Sequence, residues 1–317
     1  MQRRQSSKAT NVTTTYPKPI IKWVGGKTQI IDTLLQRFPK TMHNYHEVFL
    51  GGGSVLLALL SMRQTGAIEI VGDVYAYDLN EPLLYVYKNI QSNPGELYAK
   101  IQELIADYTS CGDGTFIDRT PTTIEEAKRN TENYYYWTRI QYNRLTDVEK
   151  RSTVGSAMFI FLNKTCFRGL FRVGPNGFNV PYGHYNNPEI VNREHLDEIS
   201  RLIQNVHFEC CDFAASMSRV GEGDFAYLDP PYAPETSTSF VGYTLNGFDD
   251  DQHLKLFQQC SRLTTEKKKM MLSNADVALV RQHFATDIYT LHSIECKRAI
   301  NSKNPDAKTQ ELIITNY

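Results

Sequence analysis

Nothing in this sequence is long and apolar enough to cross a bilayer. The longest notable run, Val55-Leu56-Leu57-Ala58-Leu59-Leu60, is far short of the roughly 20 residues a spanning helix needs. Cysteine is sparse, 6 in 317 residues with no C-x-x-C pair. Neither a disulfide framework nor a zinc ribbon is therefore signalled, and reduced thiols in a cytosol-like compartment are expected. Net charge is also missing: 34 Lys and Arg against 35 Asp and Glu leave −1, so any basic surface must be local. Met1 to Tyr16 carries Arg3, Arg4 and many Ser and Thr but no apolar h-region. It fails as a secretory signal; a disordered tail on a cytoplasmic, non-secreted protein is expected. Without secretion, the sequons at Asn11 and Asn163 carry no meaning. What remains, 41% hydrophobic, 22% charged and 11% aromatic, is the make-up of a soluble globular protein of one large or two modest domains.

Tyr45 to Leu50 reads as a short strand running into Gly51-Gly52-Gly53-Ser54, and Val55 to Gln64 as a helix with Ser54 as its cap. Gly72 to Asp78 reads as a second strand, and Glu81 to Gln91 as a second helix with Pro82 in its first turn. After Asn93-Pro94 the pattern becomes helical, over Gly95 to Tyr108 and Thr123 to Arg144, then apolar from Val154 to Leu162. Cys166 to Tyr185, punctuated by Gly169, Gly174-Pro175, Gly177 and Gly183, reads as a hairpin or extended loop. Alternation resumes with strands at Val206 to Cys210, Phe225 to Leu228, Lys269 to Leu272, Ile288 to Leu291 and Glu311 to Thr315, and helices at Asp250 to Leu263 and Asp276 to Phe284. The expectation is an α/β protein whose one sheet is built from both ends of the chain, with a helical and hairpin insert between them.

Three segments suggest chemistry. The Phe49 to Ser54 turn lets backbone approach a ligand and offers helix N–H groups to an anion, although it lacks the complete G-x-G-x-x-G fingerprint. Asp78, ending the next strand, could accept both hydroxyls of a ribose or simply cap a helix. Gly25-Gly26-Lys27-Thr28 fails as a phosphate loop because Ile21 stands where the first glycine is required; Lys27 and Trp23 instead suit an anionic group and an aromatic wall. In Asp229-Pro230-Pro231-Tyr232, a carboxylate and the Pro230 carbonyl can accept two N–H protons of an amino group while Tyr232 stacks on its ring. His43, His46, His184, His207 and His253 are dispersed, which suits structural or surface roles better than metal binding.

Together these segments resemble the Dam-like N6-adenine DNA methyltransferases. Lys22-Trp23-Val24-Gly25-Gly26-Lys27 is similar to the family's K-W-x-G-G-K box. Glu47 to Ser54 resembles its E-P-F-x-G-x-G-S loop with Val48 for proline, Tyr77-Asp78-Leu79-Asn80 its acidic box, and Asp229 to Tyr232 its D-P-P-Y. Asn163 to Arg172 followed by Phe178-Asn179-Val180-Pro181-Tyr182-Gly183 resembles its recognition hairpin. The resemblance runs from about Lys18 to the C-terminus. It implies a Rossmann-like sheet (17–92 and 205–317) binding S-adenosylmethionine (AdoMet), a target-recognition insert (93–204), double-stranded DNA as partner, and a possible companion endonuclease reading the same site. Trp23, Lys27, Phe49, Gly51, Gly53, Asp78, Asp212, Phe213 and Asp229 would line the cofactor site, and Asp229, Pro230 and Tyr232 would act on N6 of a flipped adenine.

Lys128 to Phe178 holds nine Lys or Arg against three Asp or Glu, which is the local basic surface. Arg172 matches the family's guanine-reading arginine, with Leu170 and Pro181 against neighbouring bases and Lys164 and Arg168 at phosphates. Arg168 departs from the asparagine of relatives that read GATC, so either Arg168 contacts a phosphate or the site read is not GATC; a four-base palindrome with a central A-T step, such as GATC or CATG, is expected. Tyr134 to Trp137 is an aromatic run of the kind more often found in a core than stacked on bases. N4-cytosine, RNA or protein methylation, or a non-catalytic DNA-binding module, are the alternatives.

Overall fold

A computed structural model describes residues 16–234, 248–297 and 308–317. The expected tail lies outside them except for Tyr16. The strands are β1 (Thr41–Met42), β2 (Tyr45–Glu47), β3 (Glu69–Ile70), β4 (Val74–Asp78), β5 (Val173–Gly174), β6 (Gly177–Phe178), β7 (Val206–Cys210), β8 (Phe225–Leu228), β9 (Lys269–Ala275), β10 (Thr290–Lys297) and β11 (Lys308–Thr315). Seven form one sheet in the order β10-β11-β9-β8-β2-β4-β7. β9, β8, β2, β4 and β7 are parallel, and β11 runs antiparallel to both its neighbours. After β2 the chain moves outward to β4 and β7, then returns to place β8 on the other side of β2. The resulting crevice at the strands' carboxyl ends is where open α/β sheets bind ligands. This is a mostly parallel mixed sheet built from both ends of the chain, as the sequence led us to expect.

Helix Ser54–Gln64 explains the apolar run, because every residue from Val55 to Leu60 is buried. Apolar all round, it is an interior helix. Ser54 is not its cap: Gly53 holds that position at φ 70° without a side-chain bond. The Ser54 hydroxyl instead accepts the Lys27 N–H at 3.2 Å, and the helix's Leu56 amide bonds to Glu47. The continuous helix expected over 123–144 is also interrupted. Ile124–Ala127 ends after one turn, and Thr131–Arg144 begins afresh on an Asn130 cap, whose amide also donates to the Gly114 and Phe116 carbonyls at 2.9 and 3.0 Å. An asparagine that serves three backbone groups locally competes with helix continuation.

The insert is an outer layer on the sheet. One hydrophobic cluster runs from β2 and β4 through helices Ser54–Gln64 and Glu81–Ser92 to Leu97, Tyr134, Phe161 and Ile199. Tyr134, Tyr135 and Tyr136 are in this core. On the sheet's other face a second cluster packs helices Phe213–Ser218, Asp250–Thr265 and Ala278–His283. His46 bridges Tyr77 (3.2 Å) and Asp224 (3.0 Å) inside the fold, and His253 is fully buried. Among the described residues no helix is long and apolar enough to cross a membrane.

Candidate functional site

The carboxyl ends of β2, β4 and β8 open into a cleft of about 1850 Å³. On one wall, the backbone after β2 turns through Gly51 (φ 49°) and Gly53 (φ 70°). A Cβ on Gly51 would stand 2.8 Å from Trp23 Cδ1, and one on Gly53 2.8 Å from the Tyr87 hydroxyl. These glycines are required by both conformation and contact. Asp78 closes the turn: its carboxylate accepts the Gly51 N–H at 2.9 Å and the Asn80 N–H at 2.8 Å. Helix Glu81–Ser92 is capped by Asn80. Burial raises the Asp78 carboxyl above its ordinary value, against the pull of those N–H groups. A carboxylate has about four acceptor positions, so Asp78 retains capacity for a diol. Asp212 caps helix Phe213–Ser218 by accepting the Ala215 N–H at 2.7 Å, and Phe213 lies on Phe49, ring centres 6.1 Å apart.

Asp229 and Tyr232 follow β8 at the centre of the cleft. Lys27 reaches across to Asp229, Nζ to Oδ1 2.8 Å. The same ammonium donates to the Gly25 carbonyl at 2.7 Å and sits 4.8 Å from the centre of the Tyr232 ring. Burial dominates the Asp229 carboxyl and pushes it up to about 6, with Lys27 pulling it down. At neutral pH it is therefore mostly a carboxylate facing a lysine. Glu47, at the end of β2, receives the Tyr45 hydroxyl at 2.9 Å, and burial pushes it up to about 8. A neutral carboxylic acid thus lies beneath an ionised one.

The hairpin β5–β6 forms the opposite wall. Asn163 ties it to the amino-terminal box: its side chain accepts the Lys22 N–H at 2.8 Å and donates to the carbonyls of Lys22 (2.8 Å) and Gly169 (3.1 Å). Trp23 stacks on Phe171 at 5.7 Å, 26° from coplanar. The glycine turn, Trp23 and the hairpin are therefore one packed unit. Arg168 is exposed at φ 58°, its guanidinium 5.3 Å from the Phe167 ring centre. Arg172 is exposed, with Nε donating to Asn179 Oδ1 at 2.6 Å.

The cleft lining brings together Trp23, Lys27, Phe49, Gly51, Asp78, Asp212, Phe213, Asp229, Pro230, Tyr232, Arg168 and Leu170. Gly53 lies behind the turn against Tyr87. Arg172 and Pro181 stand outside the lining, exposed on the hairpin, and Lys164 is half-buried, its ammonium disfavoured first by burial and then by Lys22. Four residues joined the site that sequence reasoning had not assigned to it. Glu311 arrives from β11, Asn163 acts through its amide, and Lys150 with Arg151 lines the rim. Glu311 had no local signal; the basic cluster that contains Lys150 and Arg151 was visible.

A family model for the D12 class of N6 adenine-specific DNA methyltransferases matches residues 23–300. The chain is 35% identical over 313 residues to the type II methyltransferase M.MjaIII of Methanocaldococcus jannaschii, covering 95% of this chain and 99% of that one. It is 29% identical to the type II methyltransferase M1.LlaDCHI of Lactococcus lactis, covering 95% of each, and 28% identical to the DNA adenine methylase of Escherichia coli, again over 95% of each.

Proposed function

This chain belongs to the D12 class of N6 adenine-specific DNA methyltransferases, and from that premise we propose that it methylates N6 of an adenine swung out of duplex DNA, within a short palindrome of the GATC or CATG type. The observation that carries this reading is the convergence of the Gly51 turn, Asp78, Asp229 and Tyr232 on one cleft faced by the hairpin. The residues present fit AdoMet: Asp78 has acceptor capacity for ribose hydroxyls, Trp23, Phe49 and Phe213 offer aromatic walls, and Asp212 stands at the rim. Bound there, AdoMet supplies an electrophilic sulfonium methyl.

The chain's own work is positioning and electrostatics. The N6 lone pair of adenine is delocalised into its ring and is a poor nucleophile. Asp229 and the Pro230 carbonyl accept hydrogen bonds from the two N6–H groups, drawing electron density back onto the nitrogen, and the Asp229 carboxylate is placed to take the one proton that N6 gives up on methylation, while the Tyr232 ring holds the base by its face. The base must leave the stack to reach this depth. Segment 93–204 reads the target: Arg172 takes the O6 and N7 edge of guanine, Leu170 and Pro181 contact adjoining bases or a thymine methyl, and Lys164, Arg168 and the Lys150–Arg151 rim hold phosphates. The type II relatives support a protective role beside an endonuclease of the same specificity.

The test is sequencing of plasmid DNA from expressing cells with single-base detection of N6-methyladenine. One modified motif is expected, and its loss in Asp229→Ala with AdoMet binding retained. Modification at cytosine N4 instead, or undiminished turnover in Asp229→Ala, would overturn the assignment.

A further inference from the structure

We propose that Glu311 is a positioning residue for methyl transfer, fixing through a hydrogen bond the tyrosine ring against which the target base is held. This role rests on the function proposed above. The Tyr232 hydroxyl donates to Glu311 Oε2 at 2.8 Å. Glu311 lies on β11, in register with Ala275 of β9, and β9 also holds the other end of the loop, since Asn274 Oδ1 accepts the Ala233 N–H at 2.9 Å. The ring is thus anchored by its backbone to one strand and by its hydroxyl to the next. Between those anchors its face meets the Lys27 ammonium, which in turn holds Asp229. The order Glu311, Tyr232, Lys27, Asp229 runs unbroken along the cleft.

A purely structural role explains this poorly. Glu311 brings a second carboxylate close to Asp229, whose ionisation it disfavours. An apolar residue at this position of β11 would spare Asp229 that repulsion. Fixing the ring is what the hydrogen bond accomplishes: a phenol bonded to a carboxylate is held more firmly than one bonded to a neutral group, and a misplaced stacking surface lowers the rate more than the affinity.

The experiment is a double-mutant cycle on methylation of duplex DNA, with Tyr232→Phe, Glu311→Ala and the pair together, and Glu311→Gln as the conservative variant. Each single change is expected to lower kcat about tenfold with KM for AdoMet within about twofold, and the double variant to match the singles, because both remove one contact. Glu311→Gln, whose amide oxygen still accepts the phenol proton, should retain kcat within about threefold. A second readout needs no turnover: 3-fluorotyrosine at position 232 should show its 19F resonance displaced by Glu311→Ala and restored toward wild type by Glu311→Gln. Additive losses, an unchanged kcat in Glu311→Ala, or an unmoved resonance would overturn the role while leaving the function standing. A wild-type protein that methylates no adenine overturns both.

Discussion

Replacing Lys27 by methionine isolates the electrostatics of the site. Among the described residues, Lys27 is the cation that pulls the Asp229 carboxyl down from the value its burial would give. Their atoms are 2.8 Å apart, with the lysine almost wholly inside the protein. Opposite unit charges 4 Å apart attract by about 4 kcal/mol at an effective dielectric of 20, and one pK unit is about 1.4 kcal/mol. Allowing for water that enters the space, loss of the ammonium should raise Asp229 by roughly two units. A carboxyl at about 6 is ionised in roughly nine molecules of ten at pH 7, whereas one at about 8 is ionised in roughly one of ten. Since the carboxylate is the form that accepts hydrogen bonds from N6–H, kcat/KM of Lys27→Met should fall about tenfold at pH 7 and recover by about pH 9. The assay is the kcat/KM against pH profile on duplex DNA, with Lys27→Arg as the charge-retaining control and calorimetry confirming that AdoMet still binds. The wild-type acid limb should lie near 6 and move only in the methionine variant. An acid limb that stays put after the charge is removed would refute the reasoning.

Gly51→Ala places a methyl 2.8 Å from Trp23 at φ 49°; we expect a conformational penalty of about 1 kcal/mol, a displaced Trp23 ring, and AdoMet binding weakened at least about tenfold by titration calorimetry. Asn163→Ala strands the Lys22 and Gly169 backbone groups it now serves and should lower stability by about 3 kcal/mol in urea unfolding. Arg168→Asn puts a residue that tolerates φ 58° in place of one that does not, so stability should rise by roughly 0.5 kcal/mol, while the salt dependence of DNA binding should fall by about one unit in log–log slope. Glu47 titrates from a folded-state value of about 8. Because the fold raises it, its contribution is complete below the ordinary carboxylate range and is lost as pH climbs through 8; Glu47→Gln should flatten the alkaline decline in melting temperature.

Legibility in the sequence followed the range of the interactions. β7 and β8 stand where the alternation and flanking turn residues put them, because a strand's pattern and its punctuation are local. Ser54 misled for the same reason: serine before an apolar run is a local cap signal, but the carboxyl group that reaches this helix comes from Glu47 on the adjacent strand. The break at Asn130 depended on carbonyls of Gly114 and Phe116, which periodicity does not encode. Within the site, Asp78 and Asp229 were visible because each ends a strand. Glu311 was not, since it reaches Tyr232 from another strand, 79 residues on.

The placement of β2 between β4 and β8 sets a timetable for synthesis. His46 of β2 is bonded in the finished protein to Asp224, 178 residues later. At 5 to 20 residues per second, the strand at the middle of the sheet waits roughly 10 to 40 s beside an unfilled position while the entire helical and hairpin segment between is made. During that interval its open edge is a template for any passing strand. The helices of that segment, which pack against Ser54–Gln64 and Glu81–Ser92, are made in this interval and can cover the growing core. That layer thus first serves as an internal escort for the sheet, and a chain shortened by removing it would emerge with its central strand uncovered.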